Sequence, residues 1–166
     1  MIHVPAPDPF TVFGLQRSMD VDERSLEQRY LKLSRECHPD LHRQQETGDC
    51  VAVLQRAAEI NDAWKVLRDP WQRAKALLEL LSPGVLDREK KLDPVFLADA
   101  LELAEEVAFA RGAAIAPLRE RLERAIAADL QALHEAVRHG DAALAARRLH
   151  ASHYHRKALR DLDAKS

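Results

Sequence analysis

Cys37, His38, Asp40, His42 and Cys50 bring thiols, imidazoles and a carboxylate into one short stretch of chain. An imidazole two positions from a carboxylate is the raw material of a general-base dyad, and an adjacent thiol is a candidate nucleophile. Cys37, however, keeps register with Leu26, Tyr30 and Leu33 at i, i+4, i+7 and i+11. That spacing is the apolar stripe of a helix, and burial there raises a thiol's pKa rather than lowering it. No glycine-rich turn or oxyanion donor lies nearby. A zinc cluster from Cys37, His38, His42 and Cys50 fits no usual ligand spacing. His150 and His153 share a helix face at i, i+3, but His155 points elsewhere and no acid or thiol completes a site. No catalytic residue, metal or cofactor is expected, and the chain does not read as an enzyme.

The tripeptide His38-Pro39-Asp40 then reads as a recognition loop, and the elements around it say how it is held. Residues 8–15 form a short first helix stopped by Gly14. Asp20 with Glu23 three positions on marks the next start, an acidic variant of the capping box. In the helix that follows, Arg29, Lys32 and Arg35 lie on the side opposite the apolar stripe, at about 100° per residue. Pro39 ends it, since a proline disfavours helical geometry in the residue before it. Residues 39–49 read as loop. Helical periodicity resumes around Cys50, with Val53, Ala57, Ile60, Trp64 and Leu67 on one face. Asp69-Pro70 interrupts it, and WQRAKALLELL continues to the breaker Ser82-Pro83-Gly84. A helical hairpin with the tripeptide at its tip and a basic outer face suits an acidic partner.

Residues 82–93 read as a linker. Asp93-Pro94 then supplies an N-cap and a proline at the first helical position. One helix runs to about Arg111. A second opens at Pro117 with Leu118, Leu122, Ile126, Leu130, Leu133 and Val137 on its core face, and a third follows Gly140-Asp141 toward Leu162. Short connections between long helices predict an antiparallel three-helix bundle. The predicted fold is all-α, in two domains: 1–81, and 94–166 after the linker. On the first bundle helix Phe96, Ala100, Leu103, Val107 and Ala110 form a core stripe. A second apolar row, Leu97, Leu101, Ala104 and Ala108, lies about one residue round the axis, flanked by Glu102, Glu105 and Glu106. Periodicity leaves open whether that row is exposed, as a docking strip, or buried against another helix.

Composition excludes several classes. The 166 residues carry a net charge of only −2, which implies no overall attraction to nucleic acid or membrane. No apolar run reaches the roughly 20 residues of a membrane span, and the N-terminus lacks a signal or transit pattern. Two cysteines cannot form a disulfide framework. A cytoplasmic setting is expected.

YLKLSRECHPD at 30–40 and INDAWKVLRDPWQRA at 60–74, preceded by PFTVFGL at 9–15, resemble the J domain in order and spacing. The whole chain, with VFLADALELAEEV at 95–107, resembles the HscB family of J-domain co-chaperones in iron–sulfur cluster assembly. The resemblance implies that His38, Pro39 and Asp40, with Arg29, Lys32 and Arg35, dock on an Hsp70-type (HscA-like) chaperone and stimulate its ATPase. It also implies that Leu97, Ala98, Leu101, Glu102, Ala104 and Glu105 bind an IscU-like scaffold protein, with Tyr154 contributing from the last helix. Leu41 stands where the family usually has a lysine, Ala98 where it has a larger apolar residue, and Ala104 where it has a longer, often basic one. Some eukaryotic relatives carry a cysteine-rich N-terminal module absent here, so a bacterial-type protein is expected. The alternatives are an adaptor for a general Hsp70 with another client, and a helical scaffold whose loop is inert.

Overall fold

The computed structural model describes residues 7–37 and 47–165, and over these all regular structure is helical. The chain divides into two compact units, Met1–Leu80 and Leu81–Ser166.

In the first unit, α1 (Pro9–Val12) is capped by Asp8, whose carboxylate accepts from the Phe10 amide, the Thr11 hydroxyl and Arg17 Nε, each at 2.9 Å. Burial alone would raise the Asp8 pKa. The hydrogen bonds from Thr11, Arg17 and Phe10 outweigh it and hold the carboxyl below its ordinary value. Gly14 then turns the chain at φ +60°, a conformation that favours a residue without Cβ. The second helix, α2 (Glu23–Glu36), starts from Asp22 and not from Asp20: the Asp22 side chain accepts from the Ser25 amide at 2.8 Å. Asp20 instead donates its amide to the Ser18 hydroxyl at 3.0 Å, in the turn before the helix.

Both α1 and α2 pack on α3 (Thr47–Arg68), which begins before Cys50. Asp69 caps α4 (Pro70–Leu81), accepting from the amides of Trp71 at 2.8 Å and Gln72 at 3.0 Å. Phe10, Leu26, Ile60, Leu67, Leu77 and Leu78 are fully buried, and each such side chain contributes about 1.5–3 kcal/mol relative to exposure. Arg73 is buried among them and donates Nη1 to the Met19 carbonyl at 3.2 Å, tying α4 to the α1–α2 connection. Burial lowers its pKa, opposed by the carboxylates of Glu23, Asp69 and Asp20. Cys37, expected on the buried stripe, is half-buried at the C-cap of α2.

The second unit begins at Leu81 and so takes in the whole of the expected linker. A single turn, α5 (Val85–Arg88), packs on α8 (Ala142–Asp163), so 82–93 is not a bare connection. Val85 is buried there, and His150 Nε2 lies 2.8 Å from the Leu86 carbonyl. Asp93 caps α6 (Pro94–Phe109), accepting from Val95 N at 2.8 Å and Phe96 N at 3.3 Å. A 3-10 turn, Gly112–Ala114, leads into α7 (Ile115–Arg138). This helix starts two residues before Pro117, which falls in the first turn, where a missing N–H costs nothing. Gly140 turns the chain at φ +73° and Asp141 caps α8 through the Leu144 amide at 2.8 Å. The pairs Arg119–Asp163 and Asp129–His155 run in opposite sequence directions, so α7 and α8 are antiparallel. Val107, Ala110, Leu118, Leu122, Ala158 and Leu162 form the core where α6 closes on the α7–α8 hairpin. No helix among the described residues is long and apolar enough to cross a membrane.

Candidate partner-binding surfaces

His38, Pro39 and Asp40, with Leu41, lie outside the described residues. The helix that leads to them is described to its C-cap. Lys32 and Arg35 are exposed on its outer side. Arg29 is exposed too, but its guanidinium is engaged: Nη1 donates to the Phe13 carbonyl at 2.9 Å and the Gly14 carbonyl at 3.2 Å. These are carbonyls released where α1 stops, so Arg29 is part of the fold as well as of the basic face. The Tyr30 ring stacks on Trp64 with centroids 4.6 Å apart and 17° between planes. Its hydroxyl donates to Asn61 Oδ1 at 2.9 Å. The packing of α2 on α3 thus rests on Leu26 and, one turn further along α2, on the Tyr30–Trp64 stack.

On α6 the two apolar rows have different fates. Phe96, Ala100 and Leu103 are half-buried and Val107 and Ala110 buried, whereas Leu97, Leu101, Ala104 and Ala108 are all exposed. The arrangement with both rows buried is therefore excluded. Leu97 is 39% and Leu101 63% exposed, and Ala98, Glu102 and Glu105 are exposed beside them. Tyr154 of α8 joins the same surface through the Phe96 ring, edge to face, with centroids 5.6 Å apart at 85°. Glu106 differs from its neighbours in pairing with Arg121 of α7. At the end of α6, Lys165 donates to the carbonyls of Val107 and Ala108, and Arg111 to those of Ala108 and Ala110. Sequence reasoning passed over Phe109, which lies on neither row and is 80% exposed.

The three imidazoles of α8 diverge. His150 meets the Leu86 carbonyl, and His155 Nδ1 lies 2.7 Å from Asp129 Oδ2. That hydrogen bond raises the His155 pKa against the opposing effect of burial. His153 is held low by burial and then by Arg156, Arg160, Lys157 and His150.

The sequence pattern of the DnaJ domain matches residues 8–76, which covers the first unit as far as α4 and spans His38-Pro39-Asp40. A co-chaperone protein HscB homolog of Haemophilus influenzae is 37% identical over 102 residues, 60% of this chain and 59% of that protein. Chaperone HscB from Vibrio cholerae superposes with a TM-score of 0.81 at 25% identity, over 95% of this chain and 96% of that one. This chain is a homologue of the HscB proteins and carries a DnaJ domain. Human co-chaperone HscB, with a TM-score of 0.86 and 27% identity, covers 97% of this chain, which in turn spans 83% of the human protein. Against the Haemophilus HscB homolog the match spans about three fifths of the relative's length. In HscB terms the first unit is the J domain, and the second is the helical unit that carries the exposed α6 row.

Proposed function

We propose that this HscB homologue is a co-chaperone that stimulates the ATPase of a specialised, HscA-type Hsp70 and delivers to it an IscU-type scaffold protein for iron–sulfur cluster transfer. The observation that carries the reading is the exposed strip on α6, with Leu97 and Leu101 uncovered while the adjacent row, half-buried at Phe96, Ala100 and Leu103 and buried at Val107 and Ala110, turns inward. An apolar strip of this kind, rimmed by carboxylates, is what a protein-docking surface requires. The contact set is Leu97, Ala98, Leu101, Glu102, Ala104, Glu105 and Tyr154. On the J domain, His38, Pro39 and Asp40 engage the Hsp70 nucleotide-binding domain. Lys32 and Arg35, with Arg29, steer an acidic face toward them, an effect that acts on the association rate and weakens with salt. Hydrolysis takes place in the partner, and the cluster is cargo on the scaffold.

Two measurements test this. His38→Gln abolishes stimulation of the HscA-type ATPase while leaving the fold intact; unchanged stimulation refutes the docking role. Titration with an IscU-type scaffold moves amide resonances over residues 97–105. Silence there, with ATPase stimulation preserved, assigns the chain instead to a general Hsp70 and another client.

A further inference from the structure

Phe109 is more exposed than any other large apolar side chain of the described residues, at 80%. Its place on α6 is specific. At about 100° per residue, Ala98, Glu102, Glu105 and Phe109 follow one another at i, i+4, i+7 and i+11 along one line. Three of these four residues belong to the contact set proposed above, and Phe109 is one turn further on. With a rise of about 1.5 Å per residue, it stands about 6 Å beyond Glu105 and about 12 Å beyond Leu101. A standard interface of about 800 Å² per partner is about 30 Å across, so a footprint centred on Leu101 includes it.

The aromatic ring is also held on a fixed base. The last turn of a helix frays when its carbonyls are unsatisfied, but here Lys165 and Arg111 donate to the carbonyls of Val107, Ala108 and Ala110, and the Ala110 amide closes on Glu106 O at 2.9 Å. Phe109 therefore loses little backbone freedom when it is covered, which favours an anchor. Charge identifies what covers it. Glu106 pairs with Arg121, whereas among the described residues Glu102 and Glu105 form no ion pair. Both face outward along the Phe109 line.

We infer that Phe109 is an apolar anchor at the far end of the scaffold-binding footprint, seated in a hollow that follows a pair of cationic side chains on the scaffold opposite Glu102 and Glu105. This rests on the reading of α6 as the scaffold-binding helix. Ala98 offers little area at the near end of the same line, and Phe109 supplies it at the other.

Calorimetric titration of the full chain with an IscU-type scaffold tests it. Phe109→Ala weakens binding about tenfold, as expected for a buried aromatic anchor. Phe109→Leu stays within about threefold, and Phe109→Lys, tolerated at an exposed helix position, weakens binding further, without change in the unfolding midpoint of any of the three. Leu101→Ala serves as the reference. If Phe109→Ala and Phe109→Lys both bind within about twofold of the unmodified chain while Leu101→Ala weakens binding, the anchor is refuted and the scaffold reading stands. If the unmodified chain does not bind the scaffold at all, the scaffold reading itself fails and takes the anchor with it.

Discussion

The edge of one aromatic ring against the face of another joins Phe96 of α6 to Tyr154 of α8, at 5.6 Å between centroids. The contact is at once a brace between helices and part of an outward surface, because Tyr154 remains 36% exposed. Aromatic pairs in this geometry contribute about 0.5–1.5 kcal/mol beyond the area they bury. Tyr154→Ala therefore lowers the stability of the second unit by at least that amount, since the buried part of the ring is lost as well, and weakens scaffold binding in the same protein. Tyr154→Phe keeps the ring and holds stability. Urea unfolding followed by tryptophan-independent circular dichroism, with a parallel titration, separates the two effects. An alanine variant as stable as the parent shows that the ring pair does not brace the helices.

Arg29 and Lys32 stand on the same basic face but differ in what they hold. Arg29→Ala removes the donor from the Phe13 and Gly14 carbonyls and lowers the stability of the J domain by about 1 kcal/mol, the usual net loss for such bonds. Lys32→Ala leaves the unfolding midpoint in place and reduces Hsp70 stimulation most at low salt, where exposed charges are least screened. If both variants melt at the parent temperature, the carbonyl bonds of Arg29 contribute nothing.

His155 and Asp129 make stability depend on pH. The hydrogen bond from Asp129 raises the His155 pKa above its unfolded value of 6.5, although burial works against it. Protonated His155 is thus favoured by the fold. Its contribution is fully present below the unfolded pKa and is lost as pH rises through the folded one. His153, whose pKa burial and neighbouring cations lower, acts in the opposite sense. The difference between the parent and His155→Gln isolates the pair: the parent is the more stable at about pH 5.5, and the gap narrows by about pH 8.5. Asp129→Asn should show the same flattened profile. Equal gaps at both values would show that the pair does not titrate with folding.

Much of this architecture can be read from local chemistry. Asp93-Pro94 and Gly140-Asp141 mark helix ends because caps act over three or four residues. The two rows of α6 are equally legible as rows, since orientation follows from a period of about 3.6 residues. Which row is covered is not legible, because it depends on how many helices approach and from where. For the same reason Arg29 reads as a solvated cation. Its carbonyl partners lie 15 and 16 positions earlier and are brought to it only by the packing of α1. Asp20 with Glu23 fits the capping-box pattern, yet Asp22 is the cap, because it is Asp22 that the fold brings to the Ser25 amide. Arg73 in the core, α5 against α8, and the Asp129–His155 bond are all long-range results with no local signature. Phe109 has one signal in the sequence, an aromatic residue on the line of Glu102 and Glu105 and off both apolar rows.

The end of α6 is tied to Lys165, 57 and 58 positions later in the chain, and its Phe96 ring to Tyr154. On a ribosome adding about 5–20 residues per second, α6 emerges on the order of 3–10 s before Lys165 is made. The J domain has all its internal partners by Leu80 and is free to fold first. The first unit is therefore made before the helices that cover the core row of α6, and for those seconds both apolar rows of α6 lie open.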